Sequence, residues 1–148
     1  IVPHPYATRK TRMSRKILIN LPVQDLDRSV ASFTALGFSF NPQFTDANAT
    51  CMVVSDDIFV MLLVKPFFQG FTPRPISDAH RQTEVLLAQA MDSREEVDAF
   101  VASAVAAGAT VTQPARDYGF MYQQSVADLD GHQWEPFFMA PDAVPPQA

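Results

Sequence analysis

The sequence predicts an α+β fold built from two tandem βαβββ modules. Three observations carry that prediction. Two helical stretches, each opened by an acidic or hydroxyl cap and closed by a glycine, recur along the chain. Short alternating or apolar runs follow each helix in the same order. The halves also superimpose at a fixed offset: Asp25, Val30 and Phe33 repeat 67 residues later as Asp92, Val97 and Phe100. An internal repeat of this length sets the architecture.

The elements follow in order. Ile17 to Val23 reads as a strand. Asp25 caps a helix on which Leu26, Val30, Phe33 and Leu36 recur at helical spacing, and Gly37 ends it. Phe38–Phe40 is extended, a turn forms around Asn41–Pro42, and strands run near Thr50–Ser55 and Ile58–Val64 with Asp56–Asp57 between them. In the second half, Glu84 to Ala90 is a strand, and Asp92 or Ser93 caps the next helix. Ser93 with Glu96 fits a capping box. Val97, Phe100, Val101, Ala104 and Val105 make its apolar face, and Gly108 ends it. Strands near Ala109–Thr112, Tyr122–Ala127 and Gln133–Phe138 complete the module, with Asp130–Gly131 as a turn. The hairpins repeat at an offset of 74, pairing Asp56 with Asp130.

The chain has 148 residues, one domain's worth, and 47% of them are hydrophobic, enough for a sizeable core. Module one spans 15–65, a linker 65–82, and module two 83–140, within one domain over 13–140. Residues 1–12 read as a disordered tail or a non-native leader, with Met13 as a natural start, and 141–148 as a flexible tail rich in proline. A net charge of −5 without a basic run argues against nucleic-acid binding. The longest apolar run, Ile58 to Val64, is too short to span a bilayer. The single cysteine, Cys51, forms no internal disulfide and reads as a buried inert thiol; a cytoplasmic location is expected.

The segments Asn20-Leu-Pro-Val-Gln-Asp-Leu-Asp-Arg-Ser29, Phe33, Leu36-Gly-Phe38 and Asp128-Leu-Asp-Gly-His-Gln-Trp-Glu135 resemble those of the vicinal oxygen chelate superfamily. That superfamily includes glyoxalase I, extradiol dioxygenases, and fosfomycin and bleomycin resistance proteins. The resemblance covers about residues 15–139. It implies two modules whose eight strands surround a half-open, barrel-like cavity, a divalent metal chelated there by two substrate oxygens, and a homodimer, in some members with exchanged modules.

The resemblance also assigns four metal-ligand places: two on the first strands, seven residues before each capping Asp, and two on the last strands. Here they fall on Leu18, Val85, Met61 and Glu135. Three of the four are apolar and offer a hard ion no donor. No metal is therefore favoured. The alternative, if Glu84 turns inward by a one-residue strand shift, is a Zn, Ni, Mn or Fe site on Glu135 and Glu84 with Asn20 or a histidine.

Glu135 is the leading catalytic candidate, because a carboxylate on an otherwise apolar strand is costly to bury unpaired. Asn20 can orient a ligand through its amide or simply bond nearby backbone. The linker aromatics Phe67 and Phe71 and the stretch Tyr118, Phe120 and Tyr122 either line an apolar pocket or fill an interface. His132 reads as a turn residue, and His80 and His4 lack metal-like partners. No nucleophile triad, phosphate loop or zinc-protease motif is present.

The expected function is binding of a small apolar or aromatic molecule in the sheet cavity, for sequestration or for acid–base chemistry by Glu135. The alternatives are a metal-dependent lyase, isomerase or dioxygenase, and a partner-binding module using the aromatic linker.

Overall fold

Each module of the computed structural model wraps a four-stranded mixed sheet around one face of a helix; residues 15–143 are described. In module one, β1 (Ile17–Val23) precedes α1 (Leu26–Ala35), β2 (Ser39–Asn41), a 3-10 turn (Pro42–Phe44), β3 (Ala49–Val53) and β4 (Ile58–Val64). A short helix α2 (Lys65–Gln69) starts the linker. In module two, β5 (Leu86–Ala90) precedes α3 (Arg94–Ala106), β6 (Thr110–Asp117), β7 (Met121–Ala127) and β8 (Gln133–Met139). The strand orders are β1-β4-β3-β2 and β5-β8-β7-β6, with the first pair of each sheet parallel. The βαβββ repeat is thus realised twice. The readings of 1–12, of Met13 and of 144–148 lie outside the described residues.

The caps form as their chemistry dictates. Asp25 accepts from the Arg28 backbone N–H at 3.1 Å, and Ser93 accepts from that of Glu96 at 3.1 Å. Glu96 reaches back to the Asp92 backbone N–H at 2.9 Å, one residue beyond the standard capping box.

Ser93, rather than Asp92, is therefore the true N-cap. This corrects the repeat offset from 67 to 68 residues. The ladders agree: Leu18 lies opposite Phe59, while Leu86 lies opposite Gln133, 74 residues beyond Phe59. Leu18 is thus equivalent to Leu86, not to Val85. Val85 and Glu84 both precede β5, contrary to the expected start at Glu84.

The linker opens on a helix, Lys65–Gln69, with Pro66 in its first turn, where the missing N–H costs nothing. Two expectations are corrected. Strand β6 runs on through Pro114 to Asp117. The ladder with β7 absorbs the proline by register shifts on both sides of Gln113. Val105 is 46% exposed and lies off the buried face of α3, which carries Val97, Phe100, Val101 and Ala104.

The helix-side faces of both sheets share one core. Leu21, Val23, Met52, Val60 and Leu62 from module one pack in the same cluster as Phe100, Val101, Val126 and Trp134 from module two. Phe33 of α1 meets the Trp134 ring at 5.4 Å between centroids, and Phe38 meets Phe100 at 6.3 Å. The modules are also clasped by the turn before β8. Asp130 accepts from the Gln24 backbone N–H (2.8 Å) and the Ser29 hydroxyl (3.3 Å), and His132 Nε2 donates to the Pro22 carbonyl (2.8 Å). This packing turns the opposite face of each sheet away from the shared core.

Candidate functional site

Strand alternation decides which side chains reach the open faces. On β8, Trp134 enters the core, so Gln133, Glu135 and Phe137 point the other way. Their ladder partners Leu86, Ala88 and Ala90 on β5 and Gln123 on β7 share that side. On the first sheet the equivalent face carries Leu18 and Asn20 beside Phe59 and Met61, with Cys51 on β3 next to Met61. Leu18 and Leu86 are 52% and 53% exposed. Two apolar leucines thus face outward on edge strands, where nothing in their own modules covers them.

Glu135 is the carboxylate that β8 places on the second open face, and it is only 9% exposed. Gln123 Nε2 donates to its Oε2 at 2.7 Å, and the Ser125 hydroxyl to its Oε1 at 3.3 Å. Ser125 in turn accepts from Gln113 Nε2 at 3.2 Å, and Gln113 Oε1 accepts from the Arg116 guanidinium. Arg116 also donates to the Tyr118 hydroxyl at 3.4 Å. A polar chain therefore runs across β8, β7 and β6 from a buried carboxylate to an exposed cation. It fixes the carboxylate's orientation, and both its oxygens keep unused lone pairs. Sequence reasoning singled out Glu135 but not Gln113, Gln123, Ser125 or Arg116. The alternation Met121, Gln123, Ser125 along β7 is the signal that places two of them beside it.

The other predicted residues separate. Asn20 is exposed on β1, its amide donating to the Leu18 carbonyl at 3.3 Å. Tyr122 lies on the helix side of β7, and its hydroxyl donates to Asp98 of α3 at 2.5 Å, a bond that holds the phenol pKa above its usual range. It does not share a face with Glu135. Phe67 and Phe71 pair edge-to-face at 5.2 Å within the linker, and Tyr118 pairs with Phe120 at 6.1 Å in the β6–β7 turn. Asn20 and Glu84 come together in a cavity of about 470 Å³ roofed by the linker residues Phe68, Arg74 and Ile76. Glu135 does not line it. Cys51 is buried, which pushes its thiol pKa up and keeps it protonated.

The donor chemistry of the four assigned metal places can be tested directly. With the corrected offset they are Leu18, Met61, Leu86 and Glu135, so the correction replaces one apolar residue by another. Two of these are outward leucines, and the single carboxylate is already engaged by Gln123 and Ser125. These residues do not fit a hard divalent ion, which needs three or more oxygen or imidazole donors. Among the described residues, no three His, Cys, Asp or Glu side chains converge at any place. Nor is any helix among them long and apolar enough to cross a membrane.

The Asp128–Glu135 stretch has a structural role beyond Glu135. Asp128 accepts from the Trp134 indole N–H (3.0 Å) and from the backbone N–H groups of Asp130 (2.9 Å) and His132 (3.0 Å). Burial pushes its pKa up, and the nearby His132 and these donors oppose that rise.

Comparison with known proteins follows the same division. Residues 16–55 match the model of the bleomycin resistance protein-like N-terminal family. No curated protein matches the sequence. Among solved structures, a hypothetical protein from S. aureus is 28% identical with a TM-score of 0.73, covering 88% of this chain and 98% of its own. A glyoxalase-related enzyme from Fulvimarina pelagi is 24% identical with a TM-score of 0.70, covering 92% and 99%. A glyoxalase/bleomycin resistance protein/dioxygenase family enzyme from Burkholderia phytofirmans PsJN is 17% identical with a TM-score of 0.72, covering 86% and 100%. Residues 16–55 thus resemble the bleomycin resistance protein-like N-terminal family, and along the whole chain the protein has the glyoxalase/bleomycin resistance/dioxygenase fold, also called vicinal oxygen chelate.

Proposed function

We propose that this protein binds a small apolar or aromatic molecule carrying a hydrogen-bond donor, on the open face of the second sheet and without the superfamily's metal. The observation that supports this reading most is the environment of Glu135. A buried carboxylate, held by Gln123 and Ser125, sits on a face whose other residues include Leu86, Ala88, Ala90 and Phe137. A surface that mixes apolar side chains with a few oriented polar groups, here Glu135 with Gln123 and Ser125, is the usual make-up of a small-molecule site. The three apolar residues at the assigned metal places contribute contact area instead of ligation.

In this reading a second copy of the chain completes the cavity, because the outward Leu18 and Leu86 lie on faces their own modules leave uncovered. The homodimer is part of the proposal. The bound molecule is sequestered, or Glu135 serves as an acid–base group towards it.

The test is a screen of aromatic amides and phenols in the presence of a chelator, followed by backbone NMR. Binding that shifts the amides of Gln123, Ser125 and Glu135 is expected. Glu135→Gln should weaken it by about tenfold or more, the range for a hydrogen bond to a charged group. Binding that appears only on adding a divalent ion, or that ignores Glu135→Gln, contradicts the proposal.

A further inference from the structure

Glu135 is a buried carboxylate without a cation beside it. None of the ion pairs among the described residues includes it. Its two partners, Gln123 and Ser125, are neutral. Neutral donors orient a carboxylate but leave its charge uncompensated, whereas buried charges are normally paired. The cation at the far end of the polar chain, Arg116, is exposed and lies opposite Gln123 on β6, two strands from β8. Two strand spacings are about 10 Å, close to a Debye length at physiological salt, so solvent screens most of that attraction. The Arg116 N–H groups are also turned towards Gln113 and Tyr118. The carboxylate itself can still be reached. Strand β8 is paired on both sides, by β5 and β7, and the flanking Trp134 and Pro136 are buried. The 9% of Glu135 that stays exposed therefore belongs to its side chain. Beside it, Ala88 lies opposite Glu135 and Ala90 opposite Phe137, and both alanines are exposed. Two methyl groups on this edge strand leave space that larger side chains would fill.

Resting on the function proposed above, we infer that the ligand of the Glu135 face is a small aromatic cation of the amidinium or guanidinium class. Each Glu135 oxygen accepts one bond from the protein and has room for a second. A planar amidinium presents two parallel N–H groups, which match the two oxygens of a carboxylate. Its charge supplies the compensation that Gln123 and Ser125 do not. The aromatic body lies over Ala88 and Ala90, and the Phe137 ring adds attraction for a cation. A carboxylate ligand is disfavoured by direct repulsion from Glu135.

The experiment titrates the full chain with benzamidine, benzamide and benzoate, with a chelator present, and follows backbone amides by NMR. Benzamidine should give saturable shifts at Gln123, Ser125 and Glu135. It should bind about tenfold more tightly than benzamide, the difference between charged and neutral hydrogen bonds. Benzoate should give no shifts. Glu135→Gln, which keeps the shape and removes the charge, should bring benzamidine down to the level of benzamide. Ala88→Leu, at an exposed position of the edge strand, should fill the space and abolish benzamidine binding while the spectrum stays that of the folded chain. Benzamide bound as tightly as benzamidine, with both weakened by Glu135→Gln, overturns the cationic ligand and leaves the proposed function standing. Benzamidine shifts that are absent, or that survive Glu135→Gln or Ala88→Leu unchanged, overturn the inference; the screen of neutral amides and phenols then judges the proposed function separately.

Discussion

Single residues set the tightest constraints in this molecule, and glycine shows why local signals need tertiary context. Gly37 and Gly131 both adopt positive φ, +96° and +88°. A Cβ at Gly37 would meet nothing within 4 Å, whereas one at Gly131 would lie 2.6 Å from the His80 backbone nitrogen and 2.7 Å from the Ala79 carbonyl carbon. Gly37→Ala should therefore cost only the left-handed backbone penalty, about 1 kcal/mol. Gly131→Ala should add displacement of the linker and cost about 2–3 kcal/mol. Urea denaturation of the two variants checks the difference; equal losses would mean that the linker does not pack against this turn. Glu135 illustrates the same point. Its place on an apolar strand was legible in the sequence, but the Gln123–Ser125–Gln113 chain that orients it was not, because those residues converge across three strands.

At the level of elements, most of the architecture was legible because it follows local chemistry. Strand β1 spans Ile17–Val23 and β4 spans Ile58–Val64, the limits that their apolar runs predict. The misses have physical causes. Asp92 and Ser93 are both good caps, and choosing the wrong one shifted the repeat by a residue and assigned Val85 where Leu86 belongs. The strand expected near Ala109–Thr112 runs on to Asp117, because a bulge carries β6 past Pro114. The far end of β6 is tied to α3, where Arg94 makes a two-pronged pair with Asp117 at 2.8 and 3.1 Å and lies 5.0 Å from the Tyr122 ring centre. The Arg94 hydrogen bonds lower the Asp117 pKa to about 2. A lowered acid pKa means the contribution of this pair is present above the ordinary carboxylate range and is lost as pH falls through about 2. Arg94→Met should return the Asp117 carboxyl midpoint towards its ordinary value, read by carbon NMR. An unchanged midpoint would show that the tie is not formed in solution.

Across the whole molecule, the helix-side faces of the two modules share a core, so the modules should unfold as one cooperative unit. Phe33, packed against Trp134 from the other module, should cost about 3–5 kcal/mol when cut to alanine. Unfolding should remain a single transition by both tryptophan fluorescence and circular dichroism, whereas two separated transitions would mean the modules fold independently. The same shared core leaves the opposite sheet faces open, and the functional account rests on what occupies them. In the proposed function the Glu135 face takes its ligand without a divalent metal. The most direct measurement is native mass spectrometry of the protein purified without chelator, before and after titration with Zn, Ni, Mn and Fe(II). No stoichiometric retention of any of the four is expected. One ion held per chain, and lost in Glu135→Gln, would contradict it.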